Sequence, residues 1–117
     1  MNRKKTGTKQ RNTIPDEVKE QAWNIIDQFN QKHSGRDDCY YEAQFKGKHC
    51  YLNRCDYGQM GPICRLTYTG KMDNWEFAIF KWSSERYDPD EWFFPGSECV
   101  DGTIKGAMKA GIEAYPV

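Results

Sequence analysis

Five cysteines and two histidines are the residues of this chain best suited to hold a metal ion or to attack a substrate. None of the cysteines belongs to a closely spaced pair of the kind used by structural zinc sites. A cage of His49, Cys50 and Cys55 is disfavoured because adjacent residues of a strand point to opposite faces. We therefore expect no metal site, no cofactor and free thiols that pack as small apolar side chains. The cysteines are Cys39, Cys50, Cys55, Cys64 and Cys99.

Carboxylates are concentrated between residues 85 and 101, where six of them stand against one arginine. An enzyme that uses such acids needs two of them to converge in a cleft, and Asp88, Asp90 and Glu91 are the candidates for this third hypothesis. A calcium loop is disfavoured because the segment lacks the twelve-residue ligand spacing and central glycine of an EF-hand. The six acids are Glu85, Asp88, Asp90, Glu91, Glu98 and Asp101.

Cys99 and His49 are the two remaining candidates for catalysis. Cys99 precedes a predicted helix, where a thiolate can be stabilised, but Glu98 and Asp101 beside it disfavour the negative charge and no base is near in sequence. His49 is predicted to be a solvent-facing strand residue without a carboxylate or serine partner. We assign no catalytic residue; the residues favour a non-enzymatic protein and leave the carboxylate-dependent enzyme as a further alternative.

The formal net charge of zero combines a basic start with an acidic remainder. The first 14 residues hold five of the 17 cations and no acid, which leaves twelve cations against 17 acids in the rest. We predict a flexible basic tail over residues 1–13 and a single domain over residues 14–117. The tail is either a solubilising segment or an arm that contacts nucleic-acid phosphates. Its cations are Arg3, Lys4, Lys5, Lys9 and Arg11.

Apolar runs in the chain are only a few residues long, too short to cross a bilayer. The basic start is followed by a polar stretch instead of the apolar region of a secretory signal. We therefore expect a cytoplasmic protein that has no contact with a membrane.

Two helices are predicted, one near each end of the chain. The first should start near Ile14, with Thr13 as a cap, because apolar residues then recur at helical spacing up to Phe29. The second should start after Asp101 or Thr103, either of which can cap it, and end before Pro116. A stripe of small residues on this helix predicts the close approach of another backbone, from the same chain or from a homodimer partner. The stripe consists of Gly106, Ala110 and Ala114.

Between the helices the apolar pattern changes to period two and predicts four strands. Residues 39–46 and 49–54 form a hairpin about Gly47, residues 56–62 form a loop, and residues 63–68 form a third strand. Residues 75–82 are apolar on both alternating faces, which indicates an interior strand covered from both sides. The sequence therefore predicts an α+β fold with two layers, in which a four-stranded antiparallel meander carries both helices on one face.

The segment from residue 83 to residue 99 is predicted to be a long loop rich in aromatic and acidic residues. Loops of this length are usually functional or fold back on the core. We expect either this loop or a partner to cover the second face of the central strand. The preferred hypothesis is a non-enzymatic module that binds a protein or small ligand through this acidic aromatic loop and an aromatic surface. The alternative is single-stranded nucleic-acid binding through aromatic stacking and the basic arm. The predicted surface comprises Tyr68, Trp75, Trp82, Tyr87, Trp92 and Phe93.

Overall fold

An antiparallel sheet forms one layer of the molecule, and its strands lie side by side in the order β1-β2-β3-β4-β5. A computed structural model of the protein describes residues 13–34 and 39–116, so the predicted tail falls outside the described residues except for Thr13. The helices stand at the two ends of the described chain, which confirms the predicted α+β class. The strands are β1 (Cys39–Lys46), β2 (His49–Asp56), β3 (Gln59–Thr67), β4 (Glu76–Lys81) and β5 (Arg86–Asp88).

The fifth strand is the main difference from the predicted sheet. Three residues of the segment predicted to be a loop, Arg86–Asp88, pair with β4 so that Tyr87 lies opposite Phe80. The reversal before β5 places Glu85 at a φ of +53°, a conformation that local sequence patterns rarely indicate for this residue type. Because β5 occupies its outer edge, β4 is an interior strand, as its two apolar faces predicted.

The predicted loop over residues 56–62 is wrong. The chain reverses in two residues, Tyr57 and Gly58, whose φ values of 56° and 89° are the pair of positive angles that a type I′ hairpin turn requires. β2 therefore continues to Asp56 and β3 begins at Gln59. A bulge between Leu52 and Asn53 shifts the register of this hairpin.

Both helices pack on the same face of the sheet. α1 (Asp16–Phe29) brings Phe29 to 5.8 Å from the ring of Tyr41, and α2 (Ile104–Ala114) accepts a 2.8 Å hydrogen bond from the Tyr41 hydroxyl at the carbonyl of Met108. The predicted cap of α2 is confirmed, since the Thr103 side chain accepts from the Gly106 amide. α1 starts later than predicted, with Pro15 before it and no side-chain cap.

Arg54 ties the sheet to the end of α2. It is only 2% exposed, and its guanidinium holds both carboxylate oxygens of Asp56, at 2.7 and 3.0 Å. The same group donates to the carbonyls of Gly111, at 3.2 Å, and Tyr115. A cation at this position complements the negative end of the helix dipole. It gives the Gly111 carbonyl a second donor beside the Tyr115 amide, and it binds the Tyr115 carbonyl at the end of the helix.

The segment after β5 packs on the helix-bearing face, which corrects its assignment to the second face. Trp92 and Phe94 each lie 5.9 Å from the ring of Phe77, whose side chain points to the helices. A one-turn 3-10 helix at Ser97–Cys99 then leads into α2. Neither helix contributes to the opposite face of β4, where Tyr87 of β5 reaches over the buried Ala78. Cover of the rest of this face by a partner stays a prediction.

The small-residue stripe of α2 is filled from within the chain. A side chain at Gly106 would collide with Asp101 and come within 2.6 Å of the Cys99 carbonyl, and one at Gly96 would come within 2.8 Å of the Ala110 carbonyl. These contacts account for Gly106 and Ala110, whereas Ala114 is half-buried. A homodimer through this stripe stays a prediction that the contacts do not require.

Candidate functional site: the helix-free face of the sheet

The face of the sheet opposite both helices is the candidate binding surface. Strand register assigns its members, because paired residues of neighbouring antiparallel strands point to the same side. Tyr51 pairs with Arg65 and Arg65 with Ala78, while Phe80 pairs with Tyr87. We call this surface the helix-free face.

An aromatic row crosses the helix-free face. The ring of Tyr51 lies 5.3 Å from that of Tyr87, which lies 5.1 Å from Phe80, which in turn lies 5.0 Å from Trp82. Successive rings meet edge to face, at interplanar angles between 63° and 78°. Such pairs add roughly 0.5–1.5 kcal/mol each beyond the area they bury. We call these four residues the aromatic row.

Ala78 explains how residues from distant strands meet. β3 and β4 separate β2 from β5, yet the rings of Tyr51 and Tyr87 are in contact. The small side chain of Ala78, which lies between them on β4, is buried and leaves room for Tyr87 to reach across. A larger residue at position 78 would keep the two halves of the row apart.

Trp82 closes the row at one end of the sheet. Its side chain is 57% exposed, and one ring atom lies 3.9 Å from the position that a Gly61 side chain would take. The indole also lines a cavity of about 340 Å³ together with Arg54 and Tyr115, so it reaches round the end of the sheet to the side that carries the end of α2. A ligand on the row would therefore meet an accessible indole at this end.

Positive charge gathers at the other end of the row. The Arg65 guanidinium lies 5.7 Å from the centre of the Tyr87 ring, and its buried Nε has no hydrogen-bond partner among the described residues. His49 Nδ1 is 2.9 Å from Thr67 Oγ1, and burial, followed by the charges of Arg65 and Lys48, lowers the pKa of its imidazole. Lys46 pairs with His49 across the β1–β2 turn. We call the charged residues of this group the cationic end; they are Lys46, Lys48 and Arg65, and His49 lies among them.

The basic arm joins the described chain beside the cationic end. The Ile14 amide donates a 3.2 Å hydrogen bond to the carbonyl of Gly47, which lies in the turn between Lys46 and Lys48. The five cations of residues 1–12 are therefore covalently attached close to this turn. Their own positions lie outside the part of the chain that the structure describes.

The aromatic residues predicted from the sequence divide among three places. Trp82 and Tyr87 belong to the aromatic row on the helix-free face. Trp75 is only 3% exposed and packs 5.0 Å from Tyr68, so it is a core residue. Trp92 and Phe93 lie in the segment after β5. Trp92 packs against Phe77 and is 47% exposed, whereas Phe93 is 99% exposed.

The candidate carboxylates are held by cations and backbone amides. Lys81 Nζ lies 2.9 Å from Glu91 and 3.9 Å from Asp88, and the second oxygen of Glu91 accepts from the Phe93 amide at 3.0 Å. The bond from Lys81 and that from the Phe93 amide lower the pKa of Glu91. Asp90 is exposed and donates its amide to Asp88. A carboxylate with a lowered pKa is a poor proton donor at neutral pH.

Two of the thiols are deeply buried in the core. Burial raises the pKa of Cys50 to about 12 and raises that of Cys64 as well, so neither forms a nucleophilic thiolate readily. Within residues 13–34 and 39–116, no three histidine, cysteine or acidic side chains are placed to hold a metal ion. The cysteines, all of which lie in this part of the chain, have no disulfide partner.

A second concave region lies on the helix-bearing side. A groove of about 480 Å³ between α1 and the start of α2 has an apolar floor that includes Ile25, Phe29 and Ile104. Lys32 and Lys105 are at its rim. This groove shares no residue with the helix-free face, so the two are separable in a binding experiment.

The sequence pattern does not indicate that Tyr51, Phe80, Arg65 and His49 belong to one surface. Their signal was the alternation along β2, β3 and β4, which places Tyr51 and Arg65 on the polar side of their strands. That pattern indicates which face each residue occupies but not which distant strand supplies its neighbour.

Comparison of the chain with family models, with curated proteins and with solved structures gave no match. Among the helices in the described ranges, none is long and apolar enough to cross a membrane.

Proposed function

We propose that this protein is a non-enzymatic binding module that holds its ligand on the helix-free face. The observation that carries the proposal is the aromatic row, four contiguous rings on a side of the sheet to which neither helix contributes, beside the guanidinium of Arg65. Tyrosine and tryptophan combine a large apolar surface with a polar group, which makes them common residues of binding surfaces.

Binding is favoured over catalysis by the state of the reactive groups. Glu91 uses both carboxylate oxygens in contacts that lower its pKa, and the buried thiols of Cys50 and Cys64 have raised pKa values. His49 is held by Thr67 next to positive charge, which disfavours its protonated form. His49 Nδ1 and Thr67 Oγ1 have the separation of a general base and a hydroxyl nucleophile. The charged groups that act on the imidazole are the cations Arg65 and Lys48, which have no acceptor to orient it as a base.

The row fits a ligand with a flat apolar face better than a charged or purely aliphatic one. Aromatic rings arranged along a sheet offer stacking and edge contacts, and the Arg65 guanidinium adds a donor that can reach a carbonyl or an anion. We expect each ring stacked by a ligand to supply about 1–3 kcal/mol of binding free energy.

Titration of the isotope-labelled protein with indole and with adenosine, followed by 1H–15N NMR spectroscopy, tests the proposal. We expect shifts concentrated on β2, β3 and β5 around Tyr51, Arg65 and Tyr87. Tyr87→Leu should abolish them because it removes the central ring, whereas Phe93→Leu, which changes a fully exposed ring elsewhere, should leave them intact. Shifts confined to the groove between α1 and α2, or no shifts at millimolar probe, would refute the proposal.

A further inference from the structure

We infer that copies of this chain associate with each other through a contact that the helix-free face does not use. Trp92 and Phe93, which we call the aromatic tip, enter the groove between α1 and the start of α2 of a second copy. We call this groove the helix groove. The tip and the groove share no residue, so one copy offers both surfaces at once and the contact joins two different surfaces.

The aromatic tip is the most exposed apolar part of the described chain. The Phe93 side chain is 99% exposed, and Trp92 beside it is 47% exposed. Single exposed apolar residues are common on protein surfaces, so exposure alone indicates no partner. Two neighbouring aromatic residues that are held in place form a contact surface of a different kind.

The backbone under the aromatic tip is fixed by side chains of the same segment and of β4. One carboxylate oxygen of Glu91 accepts from the Phe93 amide at 3.0 Å, and the other lies 2.9 Å from Lys81 Nζ. The Asp90 amide donates a 2.9 Å hydrogen bond to Asp88. The chain therefore presents the Phe93 ring in a set position, and little backbone freedom is lost when the ring is bound.

The helix groove has the size and the floor that such a tip requires. Its volume is about 480 Å³, within the range of roughly 300–1,000 Å³ that is typical of ligand pockets. Ile25 and Met72 are only half-buried in it, so an aromatic ring seated there removes apolar surface from water on both sides of the contact. The apolar residues that line the groove are Ile25, Phe29, Met72 and Ile104.

The rim of the helix groove is positively charged. Lys32 and Lys105 line it together with one acid, Asp73. Lys105 lies in the first turn of α2, which contains no acid, so its charge adds to the positive end of the helix dipole. The groove therefore favours an apolar group that carries a negative charge beside it.

The aromatic tip carries that charge. Three acids precede it, and the cations Lys81 and Arg86 pair with Glu91 and Asp88. The remaining acid, Asp90, is exposed and has no ion-pair partner among the described residues. Apolar surface and charge thus match between the tip of one copy and the groove of another, which is why a second copy is the occupant that we infer.

The area of the contact sets its strength. An aromatic side chain buries roughly 150–250 Å², so two of them with the groove that receives them stay below the roughly 1,200 Å² at which stable interfaces begin. We expect weak association that depends on concentration, with a Kd of roughly 0.1–1 mM.

NMR spectroscopy with one labelled copy tests the inference. 15N-labelled Phe93→Ala keeps the groove but lacks the main ring of the tip, and because that ring is fully exposed the change leaves the core intact. Addition of the unlabelled parent protein up to about 1 mM should shift the amide signals of Ile25, Gln28 and Lys105. Unlabelled Phe93→Ala, added as the matched control, should bind roughly 10- to 150-fold more weakly.

Charge reversal at the rim gives a second readout. Introduced into the labelled copy, Lys105→Glu should weaken binding of the parent protein roughly 2- to 10-fold, because it repels the acid beside the tip. Lys109→Glu makes the same change one turn further along α2, outside the groove, and should have no effect. Both lysines are exposed, so neither change disturbs the core.

Three results would overturn the inference. They are the absence of groove shifts at about 1 mM parent protein, equal shifts with the parent protein and with Phe93→Ala, and equal weakening by Lys105→Glu and Lys109→Glu. The outcome does not depend on the ligand of the helix-free face, because no residue of the aromatic row belongs to the tip or lines the groove.

Discussion

Replacement of Arg54 by methionine should destabilise the protein strongly, because this side chain joins β2 to the end of α2. The guanidinium makes two hydrogen bonds to Asp56 and one each to the carbonyls of Gly111 and Tyr115, and it is almost fully buried. Methionine fills most of the same volume, so the loss is of polar contacts more than of packing.

The magnitude follows from the burial of the two partners. Removal of one member of a buried ion pair costs about 3–5 kcal/mol because the other charge loses its partner. Asp56 retains 33% side-chain exposure and can recover some hydration, which moves the expected loss to the lower end of that range. We expect the free energy of unfolding to fall by about 3 kcal/mol, which corresponds to a drop in Tm of roughly 10–15 °C.

Urea unfolding followed by circular dichroism measures this loss, and Arg65→Met is the matched control on the neighbouring strand. Arg65 contributes a cation–π contact to Tyr87 but leaves its Nε unpaired, so its replacement should cost less than about 1 kcal/mol. A loss below 1 kcal/mol for Arg54→Met, or equal losses for the two variants, would refute the structural role of Arg54.

Three further outcomes are expected. Gly111→Ala should destabilise the protein by about 1–2 kcal/mol in thermal unfolding, because a new Cβ would collide with the Tyr41 hydroxyl and approach Ile63 to 2.6 Å. This steric cost should exceed the gain in helix propensity from alanine. A Tm of the variant equal to or above that of the parent protein would contradict this. Folding lowers the pKa of the His49 imidazole below 6.5, so the free energy of unfolding should be highest above that pH and should decrease as the pH falls through the lowered pKa. His49→Gln should remove the share of this decrease that comes from His49, as urea titrations at pH 5 to 8 can measure. Identical pH profiles for the variant and the parent protein would argue against this role of His49. A thiol reagent should label Cys99 first and the four buried cysteines only on unfolding, as mass spectrometry can show, and rapid labelling of a Cys99→Ser variant would disprove this.

Elements with a strong period were predictable from the sequence. The two apolar faces of residues 75–82 predict an interior strand, and β4 occupies Glu76–Lys81 of this run. The helix near the end of the chain begins after Thr103, which caps it as predicted. Both signals are local, since a cap needs three residues and a strand pattern about six. The fold class followed from their order along the chain.

The turns were less predictable because two of them use unfavourable residues. Tyr57 and Glu85 adopt positive φ angles of 56° and 53°, which glycine or asparagine usually supplies. A tyrosine in the first central position of a type I′ turn gives little sequence signal, so the pattern over residues 56–62 predicts a longer loop than the two-residue turn of the β2–β3 hairpin. The short strand β5 was missed for the same reason, since the turn at Glu85 produces it.

The candidate site could be predicted only in part. Trp82 and Tyr87 were identified by residue type, but the contact between Tyr51 and Tyr87 joins residues 36 positions apart and depends on the small Ala78 between their strands. Trp75 and Trp82 occupy the two ends of one apolar run, yet one is core and the other exposed. Composition gives the aromatic residues, whereas register decides which of them share a face.

Fluorine NMR of protein labelled with 5-fluorotryptophan tests the binding role of the helix-free face most directly, because the four indoles occupy distinct sites. Trp82 lies at the end of the aromatic row, Trp75 is in the core, Trp23 packs on Phe45, and Trp92 packs on Phe77. On addition of adenosine, the account predicts that the Trp82 resonance, assigned with Trp82→Phe, shifts while the other three stay in place. A shift of Trp23 or Trp92 with Trp82 unchanged would contradict it.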